Sequence, residues 1–441
     1  MRFLHSADWH LGRVYHGVSL LEDQAHVLQQ FVRIAADTRP DAILLAGDIY
    51  DRSVPPAEAV RLLDLVLSEL ILELKIPVVM IAGNHDGPDR LAFGSGLLQR
   101  AGLVVRGPVE MDAAPLVLRD AHGEVEIHAL PYAEPALVRS ASGDDTIADH
   151  HAALAAQTAA VRAAQVPGRR TVVVAHAFVQ GGAESESERP LSVGGTGAVG
   201  VGVFDGFDYV ALGHLHRPQA IGTKRGGESA AGAGRGDAVE VCRSADAVDV
   251  ADAANAANAT NATNATNATN AANAANAAAP WRSARIQYSG SLLKYSFAEA
   301  DHGKSVNLVE LDAEGNCTVE RIPLVPRRDL RILEGELAAL VAAAATDPAR
   351  DDYVLARLTD HGALLDAMGK LRAAYPNALA IERPTLIGDG PGRATADHRR
   401  TRIQDLFASF HLEATGVALE PAAQAALDRV VDRLEQEARN A

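Results

Sequence analysis

DAILLAGDIYD, residues 41–51, holds the reading of the N-terminal half of the chain. Five unbroken apolar residues, Ala42–Ala46, are the pattern of a strand buried on both faces. The run stops at Gly47 and delivers two carboxylates, Asp48 and Asp51. The same device appears on either side. The first strand (2–7) runs into Asp8 and His10, which are two apart and point the same way in an extended segment. PVVMIA (77–82) runs into Gly83, Asn84, His85 and Asp86. Between them, 22–38 carries Val27, Leu28, Phe31, Val32, Ile34 and Ala35 at helical spacing, and 56–73 reads as a helix with Pro56 near its first turn. A β-α-β-α-β start predicts a parallel sheet with helices on its faces.

Bulk properties bound the function. A chain of 441 residues accommodates two or three domains. Aromatics make up only 4%, which argues against base-stacking platforms. The net charge of −16 weighs against unaided binding to a phosphate backbone, although divalent cations or a basic partner reverse the local field. The two cysteines, Cys242 and Cys317, allow neither a disulfide framework nor a CxxC metal site. Asp8 and His10 interrupt any leader-like apolar region, and no run reaches membrane-spanning length, so a cytoplasmic protein is expected.

Further along, 103–132 reads as several short strands and about 146–165 as a helix. TVVVA (171–175) ends at His176, and YVAL (209–212) runs into His214 and His216. RIQYSGS (285–291), SVNLVEL (305–311) and TVERIPL (318–324) complete a β-rich section. Residues 221–280 are low in complexity, with an asparagine at every third position from Asn255 to Asn276, and read as a disordered surface insertion. A small α/β module follows, with helices at 334–345 and 363–375 and strands at 352–360 and 378–383. A linker (388–400) leads to two amphipathic helices, one carrying Ile403, Leu406, Phe407 and Phe410, the other Leu427, Val430, Val431 and Leu434. The expected organisation is a domain over 1–325, a second over 326–387, and a linker with terminal helices over 388–441.

Ligand sites in open α/β sheets lie beyond the carboxyl ends of the strands. Asp8, His10, Asp48, Asn84, His176, His214 and His216 all fall there and offer oxygen and nitrogen donors without thiolate. That mix suits Mn²⁺, Fe²⁺ or Zn²⁺ better than Ca²⁺, with Mn²⁺ a good fit. The set is too large for one tetrahedral ion and suits two ions about 3.5–4 Å apart sharing a carboxylate, which activate a water and neutralise phosphate oxygens. Gly47, Gly83 and Gly213 directly precede ligands, where sharp turns are expected to need a permissive backbone. His5, His16 and His26 read as surface or packing histidines, and Trp9 as packing beneath the site.

LHSADWHLG, AGDIYDRSVPP, IAGNHD, ALGHLHRPQ and YSGSLLKYSF together resemble the calcineurin-like metallophosphoesterases, most closely their SbcD-type nuclease subunits. The resemblance covers roughly 1–220 and 281–330, and more loosely a capping domain from 326. It implies a four-layer α/β/β/α sandwich with a small α/β capping domain and C-terminal helices. It also implies that Asp8, His10 and His216 bind one Mn²⁺, that Asn84, His176 and His214 bind the second, and that Asp48 bridges them, with Mg²⁺, Fe²⁺ or Zn²⁺ as substitutes. His85 would face the scissile phosphate and Asp86 would orient its ring. Asp51, which some relatives replace with histidine, reads either as a neighbour of the ligands or as merely structural, and Arg52, Arg217 and Lys294 either as phosphate contacts or as ordinary exposed cations. The implied activity is Mn²⁺-dependent cleavage of double-stranded DNA ends and hairpins in repair and recombination. The implied assembly is a homodimer, joined through first-domain helices, within a heterotetramer with an SbcC-like coiled-coil ATPase, on which the terminal helices dock. Two other readings stand beside it. One is a phosphatase or small-phosphodiester hydrolase with the same metal pair, since GDIYDRS partly resembles the GDxxDRG of protein phosphatases; those carry GNHE, where this chain has Gly83-Asn84-His85-Asp86. The other is a non-catalytic scaffold, against which the intact ligand motifs argue.

Overall fold

The computed structural model describes residues 1–188, 191, 197–222, 240–241, 283–383, 404–405, 407–408, 411–412 and 418–440. The chain divides into two units, Met1–Arg327 and Arg328–Ala441.

The first unit is built on two sheets. Its strands are β1 (Arg2–Ser6), β2 (Ala42–Leu45), β3 (Val78–Ile81), β4 (Leu103–Arg106), β5 (Leu116–Asp120), β6 (Gly123–Leu130), β7 (Arg170–His176), β8 (Tyr209–Gly213), β9 (Gln219–Ile221), β10 (Glu240–Val241), β11 (Arg285–Tyr288), β12 (Ser305–Leu311) and β13 (Cys317–Pro323). One sheet has the order β10-β13-β12-β1-β2-β3-β4 and the other β9-β11-β8-β7-β6-β5. β1 to β4 are mutually parallel, as are β6, β7, β8 and β11. The apolar runs bury both faces of these strands, and the sheets pack face to face. Phe3, Leu44, Val79 and Ile81 from one sheet meet Ile127, Val172, Val174 and Ala211 from the other. Helices cover the outer faces, giving the α/β sandwich expected. Helix α1 (Leu21–Thr38) buries Val27, Leu28, Phe31, Val32 and Ala35, and Phe31 packs edge-on against the buried Trp9 ring. Helix α2 (Ala57–Ser68) runs on into one π-helical turn, Glu69–Glu73. After a short helix α3 (Pro135–Ser142), α4 (His150–Ala164) sets Leu154 and Val161 against Val173, Val210 and Leu212. A fully buried aliphatic or aromatic side chain contributes roughly 1.5–3 kcal/mol, so these two layers dominate stability.

The second unit holds a three-stranded parallel sheet, β14 (Leu330–Gly335), β15 (Tyr353–Leu358) and β16 (Ala378–Glu382). Helices α5 (Leu337–Ala343) and α6 (Ala367–Ala374) place Leu337, Leu340 and Leu371 over Val354, Ala356 and Leu358. The sequence reading begins a helix at 334; Glu334 and Gly335 instead end β14, and the helix starts at Leu337. The strand is hard to see because charged residues interrupt it. Arg331 is tolerated there because Asp347 and Asp352 pair with it at 2.9 and 2.7 Å.

Of the terminal helices, α7 (Pro421–Asn440) is present, with Val431 buried and Val430 exposed. Within the first apolar stripe, Phe407 is described and is exposed, while Ile403, Leu406 and Phe410 lie outside the described residues. So do the linker (388–400) and nearly all of the 221–280 insertion. Ile221, Gly222 and Glu240–Val241 are the exceptions; Ile221 ends β9, and Glu240–Val241 forms an edge strand antiparallel to β13. No described helix is long and apolar enough to cross a membrane.

His5 is a packing histidine of an unusual kind. It lies fully buried between the sheets, with Nδ1 2.9 Å from the Tyr209 hydroxyl and Nε2 3.2 Å from the Leu212 carbonyl. A carbonyl only accepts, so Nε2 carries the proton and Nδ1 accepts from the tyrosine. Burial pushes this imidazole down to about 3, against the opposing Leu212 hydrogen bond. The unfolded chain, with an ordinary value near 6.5, therefore binds more protons between these limits, and stability is full above 6.5 and falls as pH drops toward 3. His5→Gln should make the fall of urea midpoints between pH 6.5 and 4 shallower, by up to about 1.4 kcal/mol per pH unit, in EDTA-treated protein.

Candidate metal centre

The site forms where the carboxyl ends of both sheets meet. Beyond β1 and β2 the chain continues as two side-by-side segments: Asp8 N–H donates to Gly47 O, His10 N–H to Asp48 O and Leu11 N–H to Ile49 O, at 3.1, 2.9 and 3.0 Å. Asp8, His10, Asp48 and His214 all take positive φ (54°, 45°, 50° and 107°). Such backbone costs of order 1–3 kcal/mol per residue and clusters at functional sites. Gly47, at φ 89°, meets the expectation of a permissive turn. Gly83 and Gly213 do not; neither needs positive φ, and both are there for space. A Cβ on Gly83 would lie 2.2 Å from Asp48 Oδ1, and one on Gly213 would lie 1.9 Å from the Ala46 carbonyl oxygen.

The side chains converge. His10 Nε2 lies 3.0 Å from His216 Nε2 and 3.6 Å from Asp48 Oδ2. The same Asp48 oxygen is 3.6 Å from His176 Nε2. Asn84 Oδ1 is 2.9 Å from His176 Nε2 and 3.3 Å from His214 Nδ1. The Asp8 carboxylate accepts from the His214 N–H at 2.9 Å, and His176 Nδ1 lies 2.8 Å from the Ala46 carbonyl, so each sheet grips the other's ligands. All of these residues are buried except Asn84, which is half-buried. Asp8, His10 and His216 offer donor atoms within 4.8 Å of one another, as do Asp8, Asp48 and His176.

The electrostatics fit a divalent cation. Burial, with neighbouring histidines, holds His10 and His214 well below the usual imidazole value, and burial pushes His176 and His216 to about 4. The rings are thus neutral, with lone pairs free for a metal. Burial and the adjacent Asp48 raise Asp8 well above the usual carboxyl range. Two buried carboxylates beside imidazoles held below their usual values make a donor set that a divalent cation suits. The His10 Nδ1 atom is buried without a hydrogen bond, 3.7 Å from Asp51 Oδ1.

His85 reaches the same pocket, with Nε2 3.9 Å from Asp48 Oδ2. The expected contact from Asp86 to its ring is not made. His85 Nδ1 instead lies 2.9 Å from the Asp51 carbonyl, which accepts its proton. The Asp86 carboxylate takes the backbone N–H groups of Ile49, Tyr50 and Gly83 at 3.1, 2.9 and 2.9 Å, and so ties together the segments after β2 and β3. Burial, then Asp48, pushes Asp86 up to about 7 against those bonds. The resemblance implied the wrong partner here, because backbone amides claim the Asp86 carboxylate. The Asp51 carboxylate bonds Arg13 at 3.0 Å. Arg52 and Arg217 are exposed, and Arg52 Nε is 3.6 Å from Asp51. Sequence reasoning missed the group behind His216: Ser187, Glu188, Glu299 and Lys304. Their one signal is a Glu and a Lys flanking an otherwise ordinary turn,...FAEADHGK... (297–304).

Comparison with known proteins gives two family matches and a similar solved structure. Residues 1–218 match the family described as calcineurin-like phosphoesterase. Residues 326–415 match SbcD_C, described as the type 5 capsule protein repressor C-terminal domain. Among solved structures, the chain is similar to the crystal structure of TT1561 of Thermus thermophilus, at 15% identity over 41% of this chain and 70% of that one, with a TM-score of 0.26.

The space argument at Gly83 is testable. Gly83→Ala should displace the Asp48 carboxylate, costing about 1–3 kcal/mol in urea unfolding and lowering Mn²⁺ uptake in equilibrium dialysis.

Proposed function

The chain belongs to the calcineurin-like metallophosphoesterases and is a metal-dependent hydrolase, and from that premise we propose that it is an SbcD-type nuclease subunit that cleaves phosphodiester bonds at double-stranded DNA ends and hairpins. The observation that carries the reading is Asp48 Oδ2, equidistant at 3.6 Å from His10 Nε2 and His176 Nε2, with one carboxylate lying between two donor groups. Asp8, His10 and His216 would hold one Mn²⁺, and Asn84, His176 and His214 the other, with Asp48 shared. When bound, such a pair supplies an activated water and neutralises phosphate charge. The chain's own part is positional. The Asp51 carbonyl accepts the Nδ1 proton of His85, so Nε2 faces the pocket; with a second proton there, the imidazolium would give that proton to the departing sugar oxygen and be left with the Nδ1 proton alone. The match of the C-terminal region to SbcD_C favours this reading over a phosphatase.

The acidic chain meets DNA, on this reading, together with an SbcC-like coiled-coil ATPase, for which α7 and the exposed Phe407 and Val430 are the docking candidates. A homodimer is supported by an apolar face on the first unit. There α2, its π turn and residues 93–103 border a cavity of about 460 Å³ lined by Val60, Leu72, Phe93 and Leu98. Phe93 is 86% and Leu97 77% exposed. Contiguous exposed apolar surface of this kind marks interfaces.

With Mn²⁺, an end-labelled duplex should be degraded faster than a phosphopeptide or a cyclic dinucleotide is turned over, and adding the ATPase partner should raise the rate; preferential turnover of the phosphopeptide would point to the phosphatase alternative. His85→Asn should lower kcat by about 10²–10⁴-fold with Mn²⁺ stoichiometry unchanged. Phe93→Asp combined with Leu97→Asp should shift the light-scattering mass from dimer to monomer while circular dichroism stays native.

A further inference from the structure

His216 is the best-anchored residue of the site. Its backbone N–H donates to Glu188 Oε1 at 2.6 Å. Its carbonyl accepts from Lys304 Nζ at 2.8 Å and from Ser291 N–H at 3.2 Å. Its Nδ1 lies 2.5 Å from Ser187 Oγ and 3.3 Å from Glu299 Oε1. Every hydrogen-bonding atom except Nε2 is thus committed to residues outside the ligand motifs.

The donors settle the tautomer. Ser187 has one hydroxyl proton and donates it to Glu299 Oε1. Its oxygen can then only accept from His216 Nδ1. A neutral imidazole has a single N–H, so that proton sits on Nδ1 and Nε2 carries the lone pair. Glu299 is fully buried, and its other oxygen accepts from Lys304, itself buried, at 2.5 Å. Lys304 spends its remaining donors on the His216 carbonyl and Ser291 Oγ. One ion pair therefore holds both the ring and the backbone of the ligand.

We propose that Glu299, with Ser187 as bridging hydroxyl and Lys304 as counter-charge, is a positioning residue that locks His216 in the tautomer whose Nε2 lone pair faces the metal centre. This rests on the ligand assignment above. Carboxylates behind metal-bound histidines raise ligand basicity, and their loss costs about 10–100-fold in metal affinity.

The test is calorimetric titration of the full chain with MnCl₂ alone. Glu299→Leu paired with Lys304→Met removes acceptor and charges together, since either single change would strand a buried charge. Ser187→Ala leaves the ion pair whole. The unsubstituted chain should show two sites. The double variant should weaken one by about 10–100-fold and leave the other as it was, and Ser187→Ala should weaken the same site by less. A two-site wild-type isotherm reproduced unchanged by the double variant overturns the positioning role alone. Should the double variant fail to fold, an unchanged Ser187→Ala isotherm overturns it equally. A silent wild-type titration overturns the ligand assignment and this inference with it.

Discussion

Burial of carboxylates among imidazoles at one seam is the constraint around which the first unit is arranged. Asp8 and Asp48 face His10, His176, His214 and His216 at the seam of two sheets, sealed from water. In low dielectric neither the carboxylates nor the imidazoles ionise freely, which is why Asp8 shifts up and the histidines shift down. Cation binding, proton release and folding are therefore one linked equilibrium. The left-handed backbone at Asp8, His10, Asp48 and His214 adds strain to the same place, and two well-packed cores outside the site offset it.

The two-sheet design explains how distant segments reach one point. β1, β2 and β3 end in one sheet, β7 and β8 in the other, and the ligand-bearing loops cross-brace the seam. His176 reaches the carbonyl of Ala46, and Asp8 reaches the amide of His214. Such closeness leaves no room for a side chain at Gly83 or Gly213. The site is thus as much a consequence of sheet spacing as of ligand chemistry.

What could be read from the sequence follows from range. Strand runs ending in Asp, Asn or His are local patterns, so the residues that converge at the seam and the strands that bring them there were visible. Features that depend on contact between distant segments were not. The Asp86 and Asp51 roles exchanged because backbone amides, not sequence neighbours, claim the Asp86 carboxylate. Gly83 and Gly213 read as turn glycines because a missing Cβ looks the same whether it frees φ or clears space. Glu299 and Lys304 went unread because what they serve, His216, lies more than eighty residues upstream and meets them only in the folded chain. β14 was hidden by Arg331, whose charge is cancelled by acids 16 and 21 residues further on.

The antiparallel pairing of β9 with β11 has a quieter meaning. Gln219 faces Tyr288 and Ile221 faces Ile286, so chain segments on either side of residues 223–282 are fixed to each other at one edge of the second sheet. His214 and His216 follow β8, whose register is set by β7 and β11 and not by any residue between those two segments. The same two positions mark where a foreign domain could be grafted.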